Sequence, residues 1–374
     1  MINRPDYIAA IEPFIDKPLV KILAGIRRCG KSTIFEMLRE ELLRRGIGED
    51  QIVCKRYTEM DIPENITAKQ MYDELTAAMA GKGHCYLLLD EIQEITGWEK
   101  AVNSLLESAD ADIYVTGSNS KLMSSEISTY LTGRYVSIPV YTLSFKEYLD
   151  FKADSTLSRR ELLEEYIRFG GFPIIALSEY DEQSAYQIVN GIYHTVVSRD
   201  IVKRHRINKQ DLFDRVVKYI IENMGKTFSA NSISTFLKSE HRKVSVESIY
   251  NYLRWLEQAF IIYPCGRYDL QGKSILKTQE KYYLADVSLK YALLGYNRKM
   301  LDGAMENIVY LELKRRGYDV YIGKNDTKEI DFVATRRDER IYVQVCVRIP
   351  EASDREVGNL MEIRDHYPKY VVTL

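Results

Sequence analysis

Apolar runs alternate with amphipathic stretches through the first 150 residues. Val20-Lys21-Ile22-Leu23-Ala24, Gln51 to Tyr57, Cys85-Tyr86-Leu87-Leu88-Leu89, Asp112 to Thr116 and Tyr135 to Val140 are short runs that read as strands. A helical pattern carrying Phe35, Leu38, Leu42 and Leu43 follows the first run, and Thr67 to Met79 reads as another helix. The run at Cys85 has no polar alternation, so it is expected to be buried on both faces, as in the middle of a parallel sheet. Residues 1–150 therefore predict an α/β domain on a parallel sheet.

From Ser158 to about Arg206 the pattern is helical, interrupted at Gly170-Gly171-Phe172-Pro173. Two glycines and a proline break a helix and predict a hinge, so 151–210 is expected to be a helical linker or lid. Residues 211–295 predict a winged helix. A short helix from Ser229 to Leu237 and a turn at His241-Arg242-Lys243 lead to a second helix capped by Ser245, with Ile249, Tyr252, Leu253, Leu256 and Phe260 on its apolar face. Ile261 to Tyr263 and Lys281 to Leu284 are the expected wing strands. Residues 296–374 predict a small α/β domain in the order α-β-β-β-α-β: a helix from Glu306 to Leu313, strands 319–322, 329–334 and 341–346, a helix from Asp354 to His366, and a strand from Tyr370 to Leu374.

Composition changes this picture little. With 374 residues, the chain is longer than a single core usually supports. A net charge of −2 neither demands nor excludes nucleic acid, so a basic footprint must be local. The cysteines, Cys29, Cys54, Cys85, Cys265 and Cys346, are scattered and form no C-x-x-C pair, which predicts a reducing compartment without a zinc site. Near Met1 there is no signal-peptide core, and no apolar run approaches membrane-spanning length. A cytoplasmic protein with no membrane partner is expected.

The chemistry is concentrated where the first strand ends. Gly25-Ile26-Arg27-Arg28-Cys29-Gly30-Lys31-Ser32, followed by Thr33, fits G-x-x-x-x-G-K-[ST] between a strand and a helix. Free amides at the helix start and along the loop point the same way and suit a polyphosphate. Lys31 is expected to reach the β- and γ-phosphates, and Ser32 to offer its hydroxyl to Mg²⁺. Cys29 reads as a tolerated small residue rather than an oxidisable one.

Asp90 and Glu91 end the buried strand; in a nucleotide site Asp90 holds Mg²⁺ and Glu91 orients and polarises the attacking water. Ser118 or Asn119, after the next strand, suits a sensor of the γ-phosphate, although either Ser118 or Ser120 could instead cap a helix. Arg134, just before the fifth strand, is a candidate arginine finger, with a structural ion pair as the competing reading. A rim arginine of this kind favours a homo-oligomer.

These motifs, with Thr116-Gly117-Ser118, Gly133-Arg134, Leu143-Ser144-Phe145-Lys146-Glu147-Tyr148 and the Gly-Gly-Phe-Pro element, resemble the bacterial and archaeal AAA-type ATPases that carry an uncharacterised C-terminal region. The resemblance extends over nearly the whole chain and implies ATP binding and hydrolysis, with Mg²⁺.

In a winged helix, Asn251 and Arg254 face a DNA groove while Arg242 and Lys243 meet phosphates, but such modules also bind proteins, so both partners stay open. Lys203-Arg204-His205-Arg206 reads as a solvated helix face, with contact to phosphate, DNA or ATP as the competing reading. The last domain is similar to the restriction-endonuclease-like fold. Glu306 and Asp331 match its first two acidic positions, whereas Gln344 stands for the third acid and Cys346 for the lysine, which points to a domain that packs or binds without cleaving. The leading reading is an ATP-hydrolysing switch. Its rivals are an ATP-regulated DNA- or protein-binding module with little turnover, and an ATPase coupled to a Mg²⁺-dependent nuclease.

Overall fold

The structure is a computed structural model and describes residues 3–59, 63, 66–123, 127, 130–207, 209–239, 244–270, 274–297, 301–325, 328–349 and 355–374. The chain divides into two compact units, Met1–Thr142 with Gln258–Phe260, and Leu143–Glu257 with Ile261–Leu374.

The first unit is built on five parallel strands: β1 (Val20–Ala24), β2 (Ile52–Arg56), β3 (Cys85–Asp90), β4 (Ala111–Gly117) and β5 (Tyr135–Pro139), in the order β2-β3-β4-β1-β5. Every residue of β1 and β3 is buried, as expected of strands covered on both faces. Helices α1 (Pro5–Ile11), α2 (Lys31–Arg44), α3 (Ala68–Met79) and α4 (Trp98–Ser108) accompany the sheet. The start of α3 is set locally, because Thr67 accepts from the Gln70 amide in a capping box. The order places β4 between the strand that leads into the phosphate loop and the strand that ends in Asp90.

Inside this sheet lies a buried ion pair. Lys21 donates to Asp112 and also to the Lys17 carbonyl at 2.9 Å. Asp112 accepts as well from the Tyr114 hydroxyl at 2.6 Å and the Asp16 amide at 2.9 Å.

The second unit contains helices α5 (Phe145–Phe151), α6 (Arg159–Phe169), α7 (Pro173–Ala176), α8 (Glu182–Thr195), α9 (Gln210–Glu222), α10 (Ala230–Ser239), α11 (Val246–Gln258), α12 (Ser288–Leu294), α13 (Leu301–Arg315) and α14 (Arg355–Met361). A π-helical segment, Val196–Lys203, continues α8. Six strands, β6 (Ile262–Asp269), β7 (Ser274–Leu284), β8 (Asp319–Asn325), β9 (Lys328–Arg336), β10 (Glu339–Val345) and β11 (Lys369–Val372), form one sheet in the order β11-β10-β9-β8-β6-β7.

The expected boundary at residue 295 thus falls inside a single sheet. The expected wing strands β6 and β7 pair antiparallel, but β6 also pairs parallel with β8 through Arg267↔Ile322 to Asp269↔Lys324. The expected C-terminal order α-β-β-β-α-β is present as α13 to β11, with two differences in extent. The helix expected to reach His366 ends at Met361, upstream of Pro368, which disfavours helical geometry in the residue before it. The helix expected from Glu306 begins at Leu301. The Gly170-Gly171 turn, expected as a hinge, is pinned: the Gly171 amide donates to the buried Asp286 carboxylate at 2.8 Å, and its carbonyl accepts from the Leu143 amide at 2.7 Å.

Candidate phosphate-loop site

The loops leaving the carboxyl ends of β1, β3 and β4 meet on one edge of the first sheet, where open α/β sheets bind ligands. Gly25 is required by space, since a Cβ there would lie 1.9 Å from the Val140 carbonyl oxygen. Gly30 is required by conformation, having φ +101° at the start of α2. Ile26 and Cys29 are buried beneath the loop, Arg28 is exposed with φ +67°, and Thr33 is half-buried in the first turn of α2. Burial pushes the Cys29 thiol up, which makes it a packing residue and a poor nucleophile.

Lys31 is almost fully buried. Its Nζ donates to the Gly25 and Ile26 carbonyls at 3.0 and 3.2 Å and lies 3.6 Å from Glu91 Oε1. Ser32 Oγ donates to Asp90 Oδ2 at 2.6 Å, and Thr116 Oγ1 donates to the other carboxylate oxygen. Arg56 Nε donates to Asp90 Oδ2 at 3.1 Å. A cavity of about 110 Å³ beside Ser32 and Asp90 is also lined by Arg56 and Glu59. The hydroxyl and carboxylate oxygens offered there are the hard donors that Mg²⁺ takes, so the residues fit such an ion.

Glu91 sits in a left-handed conformation, φ +55°, with its amide donating to Thr116 Oγ1 at 3.0 Å. Its carboxylate accepts from Gln93 Nε2 at 2.5 Å and Ser118 Oγ at 3.2 Å, and lies 3.5 Å from Arg27. Burial pushes this carboxyl up, but Lys31, Arg27, Gln93 and Ser118 outweigh it and hold it below the usual glutamate value. Asn119 is buried just beyond Ser118. The structure therefore brings Lys31, Ser32, Asp90, Glu91 and Ser118 into one constellation.

Arg134 lies elsewhere. The register Val20↔Tyr135 and Ala24↔Pro139 puts it at the opposite end of the strand pair from the loop, roughly 13 Å away at the rise of a strand. There it donates to Asn103 at 2.9 Å and Glu107 at 2.7 Å on α4.

Four contributors carried no assignment in the sequence reading: Gln93, Thr116, Arg56 and Arg4. Gln93 and Thr116 stand within two residues of named positions, which was the available signal. For Arg4 there was none. It is 2% exposed, and its guanidinium donates to the Cys29 carbonyl at 2.8 Å and the Tyr141 carbonyl at 3.0 Å while lying over the Tyr7 ring. Arg4→Met should destabilise the first unit by roughly 1–3 kcal/mol in chemical unfolding, because two buried carbonyls lose a charged donor.

In the second unit, the residues expected at nuclease-like positions are engaged internally. Glu306 accepts from Lys281 Nζ at 2.8 Å and the Tyr283 hydroxyl at 2.5 Å. Lys281 also lies 2.9 Å from Glu329; burial disfavours its ammonium, but Glu306 and Glu329 more than compensate. Asp331 accepts from the Val345 amide at 2.8 Å, its own amide donates to Gln344 Oε1 at 3.3 Å, and Cys346 is buried. Among the described residues no group of three or more His, Cys, Asp or Glu is placed to hold a metal ion. Of the expected DNA contacts, Arg242 and Lys243 lie outside the described residues; Arg254 is exposed on α11 and donates to Asn251 at 2.7 Å.

Comparison with known proteins agrees with the first unit. A family described as an AAA domain matches residues 17–149, and one described as a domain of unknown function matches residues 160–299. An uncharacterized protein of Haemophilus influenzae is 38% identical over 376 residues, covering 100% of this chain and 93% of the relative. An uncharacterized protein of Methanocaldococcus jannaschii is 32% identical over 354 residues, covering 90% and 77%. The crystal structure of Cdc6p from Pyrobaculum aerophilum is similar over 83% of this chain and 95% of its own, at 11% identity and a TM-score of 0.36, too low to carry an argument. The chain belongs to the family of these two relatives, and its first unit is a phosphate-loop AAA-type ATPase domain.

Proposed function

We propose that the first unit binds and hydrolyses ATP. The observation that supports this best is the convergence of Lys31, the Ser32–Asp90 pair and an ionised Glu91 beyond the ends of β1 and β3, on either side of β4. Lys31 binds phosphate oxygens in exchange for the Gly25 and Ile26 carbonyls, and the loop amides from Ile26 to Thr33 orient the chain of phosphates. Ser32 and Asp90 would hold Mg²⁺, which would neutralise developing phosphate charge. Glu91 orients a water and takes its proton, with Gln93, Ser118 and Thr116 fixing the carboxylate and its backbone. Asn119 stands beside Ser118 as the γ-phosphate sensor. Arg134, at the end of β5 away from the loop, serves as the structural ion pair with Glu107 rather than as a finger for its own loop.

The second unit acts as the reader of this switch, with 211–295 as a winged helix that offers Asn251 and Arg254 to double-stranded DNA. The restriction-endonuclease-like part packs rather than cleaves, since Lys281 and Arg267 together already neutralise Glu306 and Glu329.

The direct test is release of inorganic phosphate from ATP in Mg²⁺, together with ATP binding by equilibrium dialysis. Lys31→Ala should weaken ATP binding at least about tenfold, by loss of charge-assisted contacts to the phosphates. Equal ATP affinity in Lys31→Ala and the parent would remove the loop as the binding site.

A further inference from the structure

The segment Arg199 to Arg206 holds four cations and a single acid, in a chain whose net charge is −2. Arg199, Lys203, Arg204 and Arg206 are all exposed, and none of their side chains has an ion-pair or hydrogen-bond partner among the described residues. The acid, Asp200, is 4% exposed and belongs to the inward face with Val196, Val197 and Ile201.

The backbone gathers these charges. In an α-helix, Arg204 would lie roughly 140° around the axis from Arg199. Val196–Lys203 is instead π-helical, and its wider i→i+5 winding leaves residues five apart closer in direction than α winding does, so Arg204, which follows directly, is drawn toward the side that carries Arg199 and Lys203. Such winding is rare, and where it interrupts α-helices it is frequent at functional sites. Immediately after it, the His205 ring stacks on Trp255 of α11 at 4.3 Å and 13°. That stack sets the basic turn against the stretch of α11 that carries Arg254.

We infer that the π-helical turn Arg199–Arg204, with Arg206, is a docking surface for the phosphate backbone of double-stranded DNA, flanking α11. The inference rests on the reading of α11 as a DNA-facing helix and adds the element that supplies affinity. Arginine dominates the set, as suits bidentate recognition of phosphate. An anionic membrane fits less well, because Val196, Val197 and Ile201 of the same turn are buried in the protein and leave only the half-buried Val202 to insert.

The test uses the full chain and a duplex of about 25 base pairs of arbitrary sequence, with affinity measured against salt. The variant Arg199→Gln/Lys203→Gln/Arg204→Gln should lose at least about tenfold in affinity, and the slope of log K against log salt should shrink by roughly 2 to 3, the counterions of three phosphate contacts. Its unfolding and its ATP hydrolysis without DNA should match the parent. Unchanged affinity and slope would overturn the inference, and loss on Arg254→Gln alone would then leave the α11 reading standing. A parent chain that ignores the duplex overturns both readings. Loss of duplex binding alongside stronger parent binding to phosphatidylserine vesicles would assign the surface to lipid instead.

Discussion

Glu91→Gln should slow phosphate release by roughly 10² to 10⁴-fold, the usual contribution of a positioned general base, while ATP affinity stays near that of the parent. The substitution keeps the shape of the side chain and its hydrogen-bonding partners Gln93 and Ser118. It removes the charge that Lys31 and Arg27 face, and with it the capacity to take a proton from water. Because neighbouring cations hold Glu91 below the usual glutamate value of 4.5, the parent should keep its turnover down to pH values at which an ordinary glutamate is already protonated. An acid limb near neutrality would identify a different base. Phosphate release that survives the substitution would do the same.

The second large effect is on stability. Asp112→Asn should cost the first unit about 3–5 kcal/mol, because it leaves the Lys21 ammonium in the sheet interior without its counter-charge. Both side chains are at most 1% exposed, so water cannot compensate. Burial depresses the Lys21 ammonium and Asp112 restores it only in part, so the lysine already sits in a marginal setting. Replacing both partners together, as Lys21→Met/Asp112→Asn, should recover much of the loss, since the stranded charge is gone while position 112 keeps an acceptor for the Tyr114 hydroxyl and the Asp16 amide. Urea unfolding followed by Trp98 fluorescence measures this, with Trp255→Phe removing the signal of the second unit. A double variant as unstable as Asp112→Asn would contradict the stranded-charge account.

Features written in local sequence were readable. Five strands of the first unit announced themselves as apolar runs, and the phosphate loop by a spacing that needs no tertiary information. Asp90 and Glu91 were legible because two acids at the end of a fully buried run are conspicuous. What could not be read depends on chain segments far apart. Arg4 meets the Cys29 and Tyr141 carbonyls across 25 and 137 residues, and nothing in the stretch Asn3-Arg4-Pro5 marks it. Lys281 reaches Glu306 from a different strand than the one where a lysine was sought. The π-helical winding of Val196–Lys203 changes which residues share a face, and an α-helical reading of the same letters turns Arg204 away from Arg199.

The pairing of β6 with β8 has a consequence for how the gene could be divided. If the chain were cut after residue 295, β6 would lose the partner that covers its outer side, and an interior strand would become an open edge with unpaired amides and carbonyls. The two halves of that sheet are therefore not interchangeable cassettes. A rearrangement that transplanted one without the other would have to invent a new neighbour for β6, which ties the inheritance of the tail to that of the segment before it.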